Sequence, residues 1–492
     1  MGVVIRQSIK GSVYSYLGAV IGFVNVGFLM PLLLKTNQIG LINVLVAMAV
    51  MISQFGTLGF VNVTLRFFPF FKTKDKKHHG FLKLLLLFGF VGFALCLIIF
   101  FLMQDKLIAN NIDKSPLLAE NIYYLIPFML ASLFYLLFDG FYRAIYRAST
   151  AAFFKDLFFR LFNLFNLGLY YFALIDFHTF LNLYVLSFAS PAVLMFLHLL
   201  YIGEFRLSGS LRQKETGFYK KLAAVAFFGL ISGFSGIAML NIDKYMVNHF
   251  LDLDATGVYS IAFFFGSMIW IPGRAISRIS VPILTDAFKQ KDDNKVRDIY
   301  YKTTASMLLI GVILFVFLWA NIHNVFRILP EAYESGRWVM FFIAIAFILN
   351  LASGFSNAIL LYSNYYRLHS IMMISSVALI VILNIIFIPL LGITGAALAT
   401  TLTYLSLGIF RWLFIWSRFG LQPFGMKHLV VVAGSLLILM LSKLIPELSL
   451  IPDLIIRSAF IGLCFLFFIK YSNVDSDFKK MAERILHPFS KH

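Results

Sequence analysis

Long apolar runs, each about the 20 residues that a bilayer core takes, recur from one end of the sequence to the other with short polar stretches between them. A window of roughly 19 residues predicts helices near 11–33, 40–64, 81–103, 121–142, 152–174, 179–202, 222–250, 255–284, 302–321, 337–362, 367–390, 393–416, 428–446 and 453–470. No polar block is long enough for a separate soluble domain. The pattern therefore predicts an all-α polytopic membrane protein with about 14 transmembrane helices.

The polar stretches set the orientation. With both termini inside, roughly 28 Lys and Arg fall on the inner side and roughly 8 on the outer side, the asymmetry of the positive-inside rule. The inner clusters are KTKDKK at 72–77, RLSGSLRQKE at 206–215, KQKDDNKVR at 289–297 and the tail around Lys479, Lys480 and Arg484. Outer loops such as QDKLIANNIDKSP at 104–116 are short, and the first apolar run has no small-residue cleavage site, so it reads as a retained helix.

Composition agrees. The 492 residues are 60% hydrophobic and only 13% charged, against roughly 25% charged in a soluble domain. The net charge of +18 is assigned to loops that meet anionic lipid headgroups, and not to nucleic acid, because no basic loop carries interleaved aromatics. Cys96 and Cys464 each sit in an apolar run, away from any His cluster, so neither a disulfide framework nor a Cys-based metal site is expected. No HExxH, GxSxG or GxxxxGK[ST] motif occurs, and His178 and His198 have no carboxylate at motif spacing. Enzyme chemistry is not expected.

An internal repeat organises the chain. Gly11, Ser15, Gly18 and Asn25 in the first helix stand 218 residues before Gly229, Gly233, Gly236 and Asp243 in the seventh. Gly40 and Gly56 stand 217 before Gly257 and Gly273, and Asn166 stands 218 before Asn384. Six crossings preserve direction, so the repeat predicts two parallel-repeat six-helix bundles. The expected divisions are 1–218 for the N-terminal bundle, 219–420 for the C-terminal bundle, 421–470 for helices 13 and 14, and 471–492 for a cytoplasmic tail.

Charges inside the apolar runs are the candidate chemistry, since such residues are costly in lipid. In LNIDKYMVNHF, Asp243 continues a stripe of Gly229, Gly233 and Gly236 and is expected to face protein, as a site for a coupling proton or cation. Lys244, about 100° around the helix, is expected to point away and snorkel to headgroups; an interfacial position for both residues is the alternative. Arg274 and Arg278 share a face of the eighth helix, where guanidinium forks suit phosphate oxygens. Asp139, Arg143 and Arg147 are expected to form a stripe on the fourth helix, and Lys155, Asp156, Arg160 and Asn163 penetrate the fifth; with Arg66 they predict a basic patch in the first bundle. The plainer reading of these arginines is the ordinary basic inner end of a membrane helix.

Three stretches carry a resemblance: GSVYSYLGAVIGFVNVGFLMPLLL, IDKYMVNHFLDLDATGVYSIAFFFGSMIWIPG and NIIFIPLLGITGAALATTLTY, the last with Asn384, Pro389, Gly392, Gly395, Ala396, Ala397, Ala399 and Thr400. Through them the chain resembles polysaccharide flippases of the multidrug/oligosaccharidyl-lipid/polysaccharide exporter superfamily. The resemblance implies two bundles in a V around a cavity that opens alternately to either side. It also implies transport of an undecaprenyl-pyrophosphate-linked oligosaccharide from the cytoplasmic to the periplasmic leaflet of a bacterial inner membrane. The pyrophosphate role would fall to Arg274 and Arg278, then Arg143, Arg147, Arg66 and Arg160, and the coupling role to Asp243 and Asp139. The expected driver is a proton or sodium gradient, with no other cofactor and no metal site. The expected partners are the lipid-linked oligosaccharide, anionic lipids and polysaccharide polymerase or chain-length machinery, around a monomer. The rivals are a multidrug or lipid II exporter of the same superfamily and, from another class, a membrane-embedded polysaccharide ligase or acyltransferase.

Overall fold

The computed structural model describes residues 2–73, 75–208, 217–363 and 365–472; the basic stretch 209–216 and the tail from 473 onward lie outside them. All fourteen predicted segments are helical: α1 (2–33), α2 (36–67), α3 (81–111), α4 (125–144), α5 (148–171), α6 (177–201), α7 (218–250), α8 (253–290), α9 (293–320), α10 (337–362), α11 (366–391), α12 (393–419), α13 (426–442) and α14 (450–472). Among the described residues, twelve apolar spans are by length and composition long enough to cross a membrane, and α13 is a shorter apolar helix. α5 completes the set and carries Lys155, Asp156 and Arg160. The protein is an all-α polytopic membrane protein, and its lipid-facing surface shows in large apolar side chains left bare, such as Leu102, Leu390 and Ile451.

Several helices depart from regular geometry. α1 contains a π-helical stretch, Phe23–Leu29, and α5 another, Phe153–Phe158; such stretches insert a residue into the turn and concentrate at functional sites. α2 breaks after Gly56 because Leu58 (φ 49°) and Gly59 (φ 72°) are left-handed. Gly59 is required twice there, since a Cβ would also lie 2.0 Å from the Ala226 carbonyl oxygen of α7. α8 narrows to a 3-10 turn at Met268–Trp270, just before Pro272.

In lipid, helices associate through close packing of small residues and through polar contacts. α7 follows that rule along α2. Gly229 lies against the Asn62 side chain, Gly233 against Gln54, and Lys244 Nζ donates to Asn43 Oδ1 at 2.9 Å. The expectation that Lys244 turns away to headgroups is therefore corrected. Eleven residues after Gly233, Lys244 returns to the same face of α7, and α2 covers that face.

The repeat has a structural counterpart at the start of α2 and α8. A Cβ on Gly40 would lie 2.0 Å from the Leu253 carbonyl oxygen, and one on Gly257 would lie 2.0 Å from the Thr36 carbonyl oxygen. Each glycine thus meets the counterpart of its partner's neighbour, which is the reciprocity of a two-fold contact. The Thr36 hydroxyl donates to the Asp254 carboxylate, between residues 218 apart.

Contacts divide the chain into one unit of 1–261 with 370–392 and another of 262–369 with 393–492. α7 belongs to the first of these units, where it packs on α2. The core of the first unit gathers Phe60, Phe67, Phe81, Phe141 and Leu199 of α2, α3, α4 and α6. In the second unit, α10 and α12 pack against each other, and α13 lies on α9.

Candidate functional site

Two polar clusters lie within the spans of the first unit. The first is built on α5. Its π-helical stretch carries Lys155 and Asp156. Ser15 of α1 donates to Asp156 Oδ2 at 2.5 Å, and Gly18 admits the Asp156 backbone, where a Cβ would come within 1.9 Å of the carbonyl oxygen. Lys155 Nζ sits 4.6 Å from the Tyr135 ring, 4.8 Å from Phe188 and 5.2 Å from Phe159. Three ring faces turn their negative potential toward this ammonium. One turn on, the Arg160 guanidinium lies against Gly22, and its backbone carbonyl accepts from Asn25 Nδ2 at 2.8 Å.

On α4, Arg143 Nη2 meets Asp139 Oδ2 at 2.5 Å across one helical turn. This partly exposed pair neutralises itself, which lowers its cost in the spans. The predicted continuation of the stripe to Arg147 is corrected: α4 ends at Ala144, Tyr146 turns left-handed at φ 61°, and exposed Arg147 precedes the next helix. Arg66 is likewise exposed, in the last turn of Phe60–Phe67.

The second cluster surrounds Asp243, which is 1% exposed. Tyr259 of α8 donates to its Oδ2 at 2.8 Å, and Asn384 Nδ2 of α11 donates to its Oδ1 at 2.7 Å. Asn384 Oδ1 is buried with no hydrogen-bond partner among the described residues. A carboxylate and an orphan amide oxygen so close together make a hard oxygen environment, which suits a proton or a small cation.

In the second unit, Arg274 of α8 is exposed, with its guanidinium 4.9 Å from the Trp270 ring centre. Arg278 lies on the same helix, and its side chain is outside the described ones. The structure therefore joins Asp139 to Arg143, sets Asp156 and Arg160 against α1, and leaves Arg66 and Arg147 at helix ends.

Sequence reasoning missed two constellations. The Lys155 ring cage has no spacing signature, because its rings come from α4, α5 and α6. Buried Asp453 takes Arg457 Nη2 at 2.8 Å, His323 Nε2 at 2.8 Å and Asn324 Nδ2 at 2.5 Å, pinning α14 to the helix Ile322–Ile328. The i, i+4 spacing of Asp453 and Arg457 was its only trace in the sequence. No cluster of three or more His, Cys, Asp or Glu able to hold a metal occurs among the described residues.

The sequence matches no protein-family profile and no curated protein. The fold is shared with solved structures. Lipid II flippase MurJ in an inward closed conformation aligns over 94% of this chain and 98% of its own, with TM-score 0.74 and 13% identity. An inward-facing multidrug resistance MATE family transporter of the MOP superfamily aligns over 81% of this chain and 94% of its own, with TM-score 0.59 and 13% identity. An outward-facing one covers 85% and 95%, with TM-score 0.55 and 13% identity. At such identities the likeness establishes the fold alone.

Proposed function

We propose that this chain is a flippase that carries an undecaprenyl-pyrophosphate-linked oligosaccharide from the cytoplasmic to the periplasmic leaflet of a bacterial inner membrane by alternating access, with both termini cytoplasmic. The observation that carries the reading is a set of charged and amide side chains held inside the spans of a fold shared with a lipid II flippase. A channel wall that offers cations lowers the barrier that bare lipid presents to an anionic headgroup. The pyrophosphate role would fall first to Arg274 and Arg278, then to Arg143, Arg147, Arg66 and Arg160. Asp243 with Asn384 is the proposed coupling site for a proton or sodium ion. Asp139, held by Arg143, is the weaker candidate. Polymerase or chain-length machinery would act on the delivered substrate.

A second reading, export of lipid II itself, is favoured by the length of the MurJ match, 94% of this chain against 81–85% for the MATE transporters. That difference also supports a lipid-carrier substrate over a drug. The test is a deletion strain analysed for lipid-linked intermediates by leaflet. An oligosaccharide intermediate accumulating on the cytosolic face is the expected result, accumulation of lipid II selects the second reading, and no accumulation overturns both.

A further inference from the structure

The second unit holds a groove of about 170 Å³ between α9, α10 and α12. Its walls are ring-rich, with Tyr300, Tyr404, Trp412 and Phe424, and Gly408 opens its floor. A Cβ on Gly408 would stand 3.2 Å from Ser353 Oγ, so the groove is narrow where it passes between α12 and α10. At one end, Trp412 Nε1 donates to Gln422 Oε1 at 2.5 Å and the Gln422 amide donates to the Tyr301 hydroxyl at 3.2 Å. The Arg297 guanidinium sits 5.5 Å from the Tyr301 ring centre. This chain of contacts ties the groove wall to the end of the bundle that bears the basic loop 289–297.

We infer that this groove receives the polyprenyl chain of the transported lipid, and that its pyrophosphate lies near Arg297 while the chain is seated there, ahead of its passage to Arg274 and Arg278. The inference rests on the flippase reading. Size argues for a single chain: about 170 Å³ holds a segment of one chain and not two tails side by side, and a polyprenyl carrier brings one where a phospholipid brings two. Chemistry argues for an unsaturated chain. Ring faces pack well on flat alkene units. The Ser356 hydroxyl, 1% exposed and without a partner among the described residues, lines the groove and gains a weak π acceptor from an alkene that a saturated tail lacks. Charge argues for an anionic head, because exposed Arg297 stands at the end of the groove joined through Tyr301 and Gln422.

The test uses purified full-length protein in nanodiscs and a diazirine-bearing polyprenyl pyrophosphate, with labelled peptides mapped by mass spectrometry. Label on α10 and α12 around Gly408, competed by unlabelled polyprenyl pyrophosphate and not by phosphatidylglycerol, is the expected result. Gly408→Leu and Leu405→Trp, the second on the lipid-facing side where no buried partner is displaced, should each reduce that label about tenfold, a change of about 1.4 kcal/mol in binding. Equal competition by phosphatidylglycerol, or label elsewhere only, overturns the inference. A parallel leaflet-accessibility assay on the same nanodisc-competent protein in vesicles separates the two readings: translocation without groove label sinks the groove alone, and absence of translocation sinks the flippase.

Discussion

Asn25 and Asp243 occupy equivalent places in the two repeats, 218 residues apart, yet they use their neighbourhoods differently. Asn25 lies in a π-helical stretch and donates to the backbone of α5 at Arg160. Asp243 lies in a regular helix and draws in two side-chain donors, Tyr259 and Asn384. The counterparts of the partner diverge too. Asn384 reaches Asp243, whereas Asn166 turns to α6 and donates to Ser187 Oγ at 2.7 Å and the Leu183 carbonyl at 3.1 Å. One change from amide to carboxylate explains both differences. A buried carboxylate must collect donors, and charge-assisted hydrogen bonds outweigh neutral ones roughly twofold. An amide makes no such demand, so its neighbour is free to tie helices together.

The comparison breaks most sharply at Asp243. Asp243→Asn makes the second repeat chemically like the first; gradient-driven translocation in vesicles should fall roughly tenfold to hundredfold, the equivalent of hydrogen bonds to a charge at about 1.5–3 kcal/mol, while the purified protein keeps its elution profile. Unchanged gradient dependence would remove Asp243 from coupling. Asn384→Leu withdraws one donor from the buried carboxylate and should destabilise the protein by about 1–3 kcal/mol, read as a lower melting temperature in detergent; an unchanged melt would show that Asp243 does not depend on that amide.

The reciprocal glycines offer a symmetric check. Gly40→Ala and Gly257→Ala each place a methyl group against a backbone carbonyl, and each should cost about 1–3 kcal/mol by overpacking. Two-fold packing predicts similar losses; a large loss in one and none in the other would deny the symmetry. The smallest effect belongs to Asn166→Ala, about 1 kcal/mol for its neutral hydrogen bonds, with gradient coupling unaffected. A coupling defect in that variant as large as that of Asp243→Asn would make the two repeats equivalent after all.

Much of the fold was legible because each span is a local property. A run of about 20 apolar residues is read without knowing its neighbours, and all fourteen segments were placed. Their interruptions were not: the left-handed turn at Leu58 and Gly59 lies where Ala226 of α7 packs against Gly59, a contact across more than half of the first unit. Arg143 with Asp139 was legible, since i, i+4 spacing is local. Arg147 was misplaced because the stop at Ala144 has no glycine or proline to announce it.

For Asp243, the sequence by itself determined a carboxylate on a small-residue stripe inside a span, and therefore a group that must face protein. It also determined the repeat, since equal spacing survives in the chain whatever the helices do. Tertiary structure decided the company: Asn384 stands 141 residues away and Tyr259 comes from the next helix. It likewise decided that Lys244 meets Asn43 instead of headgroups. Periodicity fixes which residues share a face of one helix, but which other helix covers that face depends on long-range packing, and no local spacing encodes it.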